Sequence, residues 1–137
     1  MKKKILVPLD GSRHSLRALH KSLELAGPDG SIVGVHVMPV SYLAAIPRMV
    51  AVKNQMIKNA EKILDNAERI VAGKSIPFQR VILRGFPGPD VVSFANKKAN
   101  KINYVVVGSR TKGQRDAVFG SVSNYIIHSS NVPVLVV

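Results

Sequence analysis

Apolar positions along this chain switch repeatedly between a short unbroken run and a helical stripe. Ile5 to Leu9 is an apolar run that suits a buried strand. Ser12 then caps a helix whose apolar face is Leu16, Leu19, Leu23 and Ala26. Gly27-Pro28-Asp29-Gly30 stops that helix and turns the chain. Ser31 to Met38 predicts a second strand, and residues 39–47 an irregular connection. A long helix is expected over 48–72, with Met49, Met56, Ala60, Ile63, Ala67 and Ile70 on one face and Gly73 ending it. Ile76 to Leu83 mixes apolar and polar residues, which places a third strand nearer an edge. Arg84 to Pro89 reads as a loop, followed by a helix bearing Val91, Val92, Phe94, Ala95 and Ala99. Ile102 to Val107 is the fourth strand, and its core, Tyr104 to Val107, suits burial on both faces. Val122 to Ser129 is the last helix and Val132 to Val137 the fifth strand.

Strict alternation of strand and helix implies an α/β fold: one open sheet of five parallel strands with helices on both faces. The expected strand order is 3-2-1-4-5, a Rossmann-like arrangement forming a single domain over residues 1–137. In such sheets ligands bind beyond the carboxyl ends of the strands, where the strand order reverses. Strands one and four flank that reversal. Their carboxyl ends carry Pro8-Leu9-Asp10-Gly11-Ser12 and the segment from Gly108 onward.

The second of these segments is the more informative. Gly108 ends a buried strand, a short basic loop follows, and Gly120-Ser121 opens a helix. Free loop N–H groups and the positive end of a helix make a seat for an anion, and phosphate is the natural guest. A plain strand-to-helix turn needs glycines of the same kind, so spacing alone leaves both readings open. The Walker pattern is absent, because Gln114 stands where it requires lysine, and G-x-G-x-x-G is absent too. Ser121 and Ser123 in the first helical turn are placed either to reach a phosphate or simply to cap. Asp10 suits acceptance of hydrogen bonds from ligand hydroxyls, or the capping of the helix that follows it. Gly85 either lets backbone approach a ligand closely or only makes the turn before Pro87.

Composition narrows the chemistry. The chain has 137 residues, 46% of them hydrophobic, enough to bury a core. It contains no cysteine, which rules out disulfides and thiolate metal sites and fits a cytoplasmic protein. Lys2-Lys3-Lys4 is followed by an apolar run too short for a signal peptide, and no segment has the length of a membrane span. His14, His20, His36 and His128 show no metal-ligand spacing, and His36 reads as structural. No nucleophile–base set is legible, so no catalytic residue and no metal site are expected, and any hydrolysis of a phosphate-bearing guest is expected to be slow. The net charge of +12 attracts polyanions. The basic residues are nevertheless spread along the chain, clustering only at Lys2–Lys4, Lys97-Lys98-Lys101 and Arg110-Lys112-Arg115. Aromatics make up only 5%, which argues against a base-stacking platform, so nucleic acid is not the favoured partner.

VPLDGS at 7–12, HV at 36–37, VVVGSR at 105–110, GSVSNYI at 120–126 and PVLVV at 133–137 together resemble the universal stress protein family, in order and over the whole chain. The resemblance implies the same five-stranded parallel fold and a homodimer joined through the last strand, residues 132–137, with further protein partners open. It also implies ATP, accompanied by Mg²⁺, as ligand in those members that carry the signature Gly-x2-Gly-x9-Gly-Ser/Thr. Here Gly108 and Gly120-Ser121 match that signature. Thr111 stands at its second glycine, with Gly113 two residues on, and the loop is one residue shorter. Loops and resemblance together give a candidate nucleotide-binding set of Pro8, Leu9, Asp10, Val37, Gly108, Ser109, Arg110, Gly113, Gly120, Ser121, Val122 and Ser123. Three readings follow: an ATP-binding stress-response module, a nucleotide-free dimeric interaction module, and a basic nucleic-acid-binding protein.

Overall fold

A computed structural model describes residues 2–39, 49–109 and 120–137. The elements run β1 (Lys4–Pro8), α1 (Arg13–Ala26), β2 (Ser31–Pro39), α2 (Met49–Ala72), β3 (Phe78–Gly85), α3 (Pro87–Asn96), β4 (Tyr104–Val107), α4 (Ser121–Ser129) and β5 (Val134–Val136), with a 3-10 turn at Lys98–Asn100. The strands form one sheet in the order β3-β2-β1-β4-β5, and each neighbouring pair is parallel. The sheet therefore has the order expected from the alternation.

Side chains alternate across the sheet and build two cores. Ile5, Val7 and Leu9 of the β1 segment, with Val106 of β4, pack on one face against Ala18, Leu19 and Leu23 of α1 and Leu64, Ala67 and Val71 of α2. Leu6, Val105, Val107 and the odd-numbered Val33, Val35 and Val37 of β2 pack on the other face against Val91, Val92 and Ala95 of α3 and Ile126 of α4. Helices α1 and α2 thus cover one face while α3 and α4 cover the other.

Several expectations are corrected in detail. The buried stripe of α2 is Ala60, Leu64, Ala67 and Val71, with Ile63 and Ile70 at its margin. Met56 lies outside that stripe, and Met49 falls where no side chain is described. In the first half of α2, Val50, Val52 and Ile57 are exposed. α3 begins at Pro87 rather than after Pro89, because proline at the first helical position loses no intrahelical bond. Ala99 falls in the 3-10 turn and is exposed. Tyr104 is 40% exposed, so only Val105 to Val107 of β4 are buried on both faces.

The edge strand β3 is tied to α2 by charge. Arg80 donates to Glu61 at 2.6 Å and to Asp65 at 2.5 Å, and lies 3.5 Å from Glu68. The hydrogen bond to Asp65 is the chief cause of an Arg80 pKa raised above its ordinary value.

The corrected face of α2 has a direct test. Leu64→Ala should cost about 2–5 kcal/mol by leaving a cavity in a filled core. Ile57→Ala should stay within about 0.5 kcal/mol, as exposed positions do. Equal losses in a urea titration of the two variants would reject the buried stripe of Ala60, Leu64, Ala67 and Val71.

Candidate functional site

The carboxyl end of β1 is built by a short network. Leu9 N–H continues the ladder by donating to Val35 O at 2.8 Å, and the buried His36 ring donates from Nδ1 to Leu9 O at 2.7 Å. Both polar groups of Leu9 are therefore held, which sets the direction of the chain at Asp10. Beyond the strand, Asp10 turns back. Its carboxylate accepts from Ser12 N at 2.9 Å and from the Ser12 hydroxyl, and Ser12 Oγ in turn accepts from Ser15 N at 3.2 Å. His14 Nε2 approaches the same carboxylate at 3.7 Å. Burial pushes the Asp10 pKa up, but the bonds from Ser12, with Ser15 and His14, outweigh it and leave the carboxyl below its ordinary 3.8. Ser12 donates to Asp10 and not to His14, so the three do not form a nucleophile–base relay.

The end of β4 is set by a close approach. A Cβ on Gly108 would lie 2.0 Å from the His14 carbonyl oxygen, so only glycine lets β4 run beside the first turn of α1. After it, Ser109 N–H donates to Val137 O at 2.8 Å, and Arg17 of α1 donates to the Ser109 carbonyl and, at 3.2 Å, to Val137 O. Gly85 has a comparable duty on β3. Its φ is +152°, and a Cβ there would sit 2.0 Å from Asp90 Oδ2, the atom that accepts from Phe86 N at 2.6 Å. Gly85 makes room for that cap and is not part of the cavity lining.

Three helices begin at this end of the sheet with described caps, and they end differently. At α1, Ser12 and Asp10 take up the local donors. At α3, Pro87 and Pro89 bring no N–H, and Asp90 supplies a carboxylate. At α4 the cap is Gly120, with no side-chain cap bond, and the ladder starts only with Asn124 N–H to Gly120 O at 3.0 Å. The N–H groups of Ser121, Val122 and Ser123 precede that first bond. Among the described residues no side chain accepts from them.

Between β1, β2, α3 and α4 lies a cavity of about 240 Å³. Its walls are chiefly apolar: Val35 and Val37 of β2, Val91 of α3, Val122 and Ile126 of α4. Polar groups enter at its rim from Asp10, His14, Ser15 and Ser123. Of the candidate residues, Pro8, Leu9, Asp10, Val37, Gly108, Gly120, Val122 and Ser123 line this cavity. Ser109 and Ser121 do not: Ser109 is engaged with Arg17 and Val137, and Ser121 is exposed. Arg110 and Gly113, with Thr111, Lys112 and Arg115, lie outside the described residues. His14, Ser15, Val91 and Ile126 also line the cavity, although the sequence did not mark them as candidates. Position i+4 from Asp10 was a usable signal for His14, but nothing in the pattern says which core residues also wall a cleft. Among the described residues no group of three His, Asp or Glu is placed to hold a metal, and no helix is long and apolar enough to cross a membrane.

Comparisons with known proteins agree over the whole length. The model of the universal stress protein family matches residues 1–137. Universal stress protein YxiE of Bacillus subtilis is 28% identical over 152 residues, covering 98% of this chain and 97% of the relative. The solved structure of MJ0577, a universal stress protein of Methanocaldococcus jannaschii, superposes with a TM-score of 0.86 at 25% identity, covering 100% and 96% of the two chains. A universal stress protein of Archaeoglobus fulgidus solved in complex with dAMP gives 0.75 at 25% identity, covering 99% and 98%. The chain belongs to the universal stress protein family.

Two outcomes follow from the site's geometry. Gly108→Ala should destabilise the fold by about 1–3 kcal/mol, the range for forcing a methyl group into packed structure. A melting temperature unchanged from wild type would show that β4 and α1 part freely. For Asp10 the folded pKa is lowered, so its stabilising share is full above 3.8 and is lost as pH falls through the lower folded value. The stability gap between wild type and Asp10→Asn should be present at pH 7 and close in strong acid. A gap independent of pH would sink that account. Its size is held down by solvent, since the carboxylate is 62% exposed.

Proposed function

We propose that the cleft between β1 and α4 binds an adenine nucleotide, with the phosphates on the N-terminus of α4 and the base and sugar in the apolar cavity. The observation that carries this reading is the uncapped start of α4, which opens at Gly120 onto a cavity walled by valine and isoleucine. A helix N-terminus favours an anion, and an apolar slot favours a flat ring. The cavity, near the ~300 Å³ lower end for small-ligand clefts, fits a compact guest. Asp10 stands at the rim as an acceptor for ribose hydroxyls. The dAMP bound by the Archaeoglobus relative supports the same ligand class here.

ATP is the proposed physiological form. Mg²⁺ is carried by the phosphates, since that ion keeps its waters and uses few carboxylates. Arg110, Lys112 and Arg115 follow β4 in sequence and supply the cationic side chains that a triphosphate requires. The bound nucleotide acts as a regulatory ligand in a stress-response module and is not turned over rapidly. β5 is an edge of the sheet with Leu135 exposed, which supports pairing with a second copy along residues 132–137. The competing reading, a dimeric module without nucleotide, rests on Thr111 at a position where the signature has glycine.

Gly120→Asp separates the readings. An aspartate at the cap supplies the missing acceptor and should raise stability by about 0.3 kcal/mol, since glycine is already a tolerated cap. The same carboxylate takes the phosphate seat, so MgATP affinity in calorimetry should fall roughly tenfold or more. A variant that is more stable yet binds as wild type would move the phosphates away from α4. No MgATP heat from wild type at millimolar concentration would favour the nucleotide-free module.

A further inference from the structure

The lysine clusters that lie far apart in sequence meet in the fold. In a parallel sheet every strand starts at the same end, and here that end is opposite the nucleotide cleft. β1 enters through Lys2-Lys3-Lys4, and β4 enters through the turn holding Lys97, Lys98 and Lys101. These two entries are stitched side by side: Asn103 N–H donates to Lys4 O at 2.9 Å, and Lys4 N–H donates to Asn103 Oδ1 at 2.8 Å. Lys74 in the α2–β3 turn adds a further cation at the same end. Lys2, Lys3, Lys74, Lys97, Lys98 and Lys101 are all exposed. Among the described residues none of them is in a salt bridge.

Most of the described carboxylates are engaged elsewhere. Glu61, Asp65 and Glu68 surround Arg80, and Asp10 and Asp90 serve helix starts near the cleft. Among the described residues, Glu24 lies at the lysine end in the last turn of α1, paired with Lys21, and Asp29 lies in the turn that follows. The segments entering β1, β3 and β4 carry lysine, and no segment entering a strand carries arginine. Lysine meets phosphate as a point charge, whereas arginine is the residue for bidentate reading of base edges. Among the described residues Val50, Val52, Ile57 and Phe86 are exposed at the cleft end or at the start of α2, while Tyr104, at the start of β4, is exposed at the lysine end itself. One aromatic ring is little to insert into a lipid surface.

We propose that this lysine pole docks on the phosphate backbone of duplex nucleic acid without reading its sequence. A duplex carries one charge per about 1.7 Å of axis, so widely spaced lysines each find a phosphate whatever the register. The sparse aromatics that argue against single-strand stacking do not bear on backbone contact. The proposal does not depend on the nucleotide reading, because the two surfaces lie at opposite ends of the strands.

Fluorescence anisotropy with a labelled random-sequence DNA duplex, from about 50 to 200 mM salt, tests it. Wild type should bind, and its affinity should fall steeply with salt. The triple variant K97E/K98E/K101E should bind at least about tenfold more weakly, with a salt slope shallower by about 0.9 for each phosphate no longer neutralised. The control K53E/K58E/K62E makes the same charge change on exposed positions of α2 and should weaken binding much less. Circular dichroism melts of both variants exclude unfolding as the cause. No binding at 50 mM salt would overturn the proposal, as would equal weakening in the two triples, which would reduce the effect to net charge. Capture by phosphatidylserine vesicles in place of DNA would reassign the pole to a membrane surface and overturn it as well.

Discussion

Everything in this molecule hangs on β1, which must be hydrogen-bonded on both sides by parallel strands. β2 follows it on one side through α1, and β4 joins it on the other. Parallel crossovers are right-handed, so the outward run β1-β2-β3 puts its helices, α1 and α2, on one face. The run from β4 to β5 goes the opposite way and puts α4 on the other face. At the carboxyl ends of β1 and β4 the chain therefore leaves in opposite directions, and the gap between the departing segments is the cleft. The cleft is a consequence of handedness and strand order, and the residues around it then decide what it holds.

Those residues divide the work between two helix starts. α1 begins self-contained: Asp10, Ser12 and Ser15 satisfy one another, and the first turn is rigid enough for Gly108 to lie against the His14 carbonyl. α4 begins with glycine at the cap and, among the described residues, no side chain to close it. A capped start costs nothing further and attracts nothing. An uncapped start leaves N–H donors whose best partner is an anion from outside. On the proposed reading one end fixes the frame and the other receives a ligand, so a substitution at Gly108 is expected to read out as stability and one at Gly120 chiefly as affinity.

The sheet was legible because its strands announce themselves as unbroken β-branched runs such as Val105 to Val107 and Ile32 with Val33, and because alternation leaves few topologies. α2 was legible as a helix but not in its buried face. Methionines and isoleucines recur along it, and periodicity cannot say which of them meet a partner surface. Start positions slipped where proline or glycine plays two parts, as at Pro87. For the site, Asp10, Gly108 and Gly120 were visible as punctuation at strand and helix ends. Ser109 lies outside the cavity lining, its backbone engaged by Val137 and Arg17, residues remote in sequence that no local pattern reveals. Ile126 was invisible as a cleft residue, since its place depends on which helices flank the reversal.

The same strand polarity that gathers the carboxyl ends gathers the amino ends, and the charges sort accordingly. β1 has five residues, so at about 3.3 Å each its two ends lie about 16 Å apart. The Debye length at physiological salt is about 8 Å. The lysine end therefore contributes little to the potential at the cleft under those conditions, and each surface answers to its own ligand. At low ionic strength the separation no longer screens, and the whole +12 charge draws any polyanion toward either end. Affinity for a nucleotide at α4 and affinity for a duplex at the lysines should therefore differ in their salt dependence. A nucleotide bound as proposed would be held partly by the apolar cavity and by helix N–H groups within it, which salt barely touches. A duplex docked as proposed would be held by exposed ammonium groups alone, and its counterions would return as soon as the salt concentration rises.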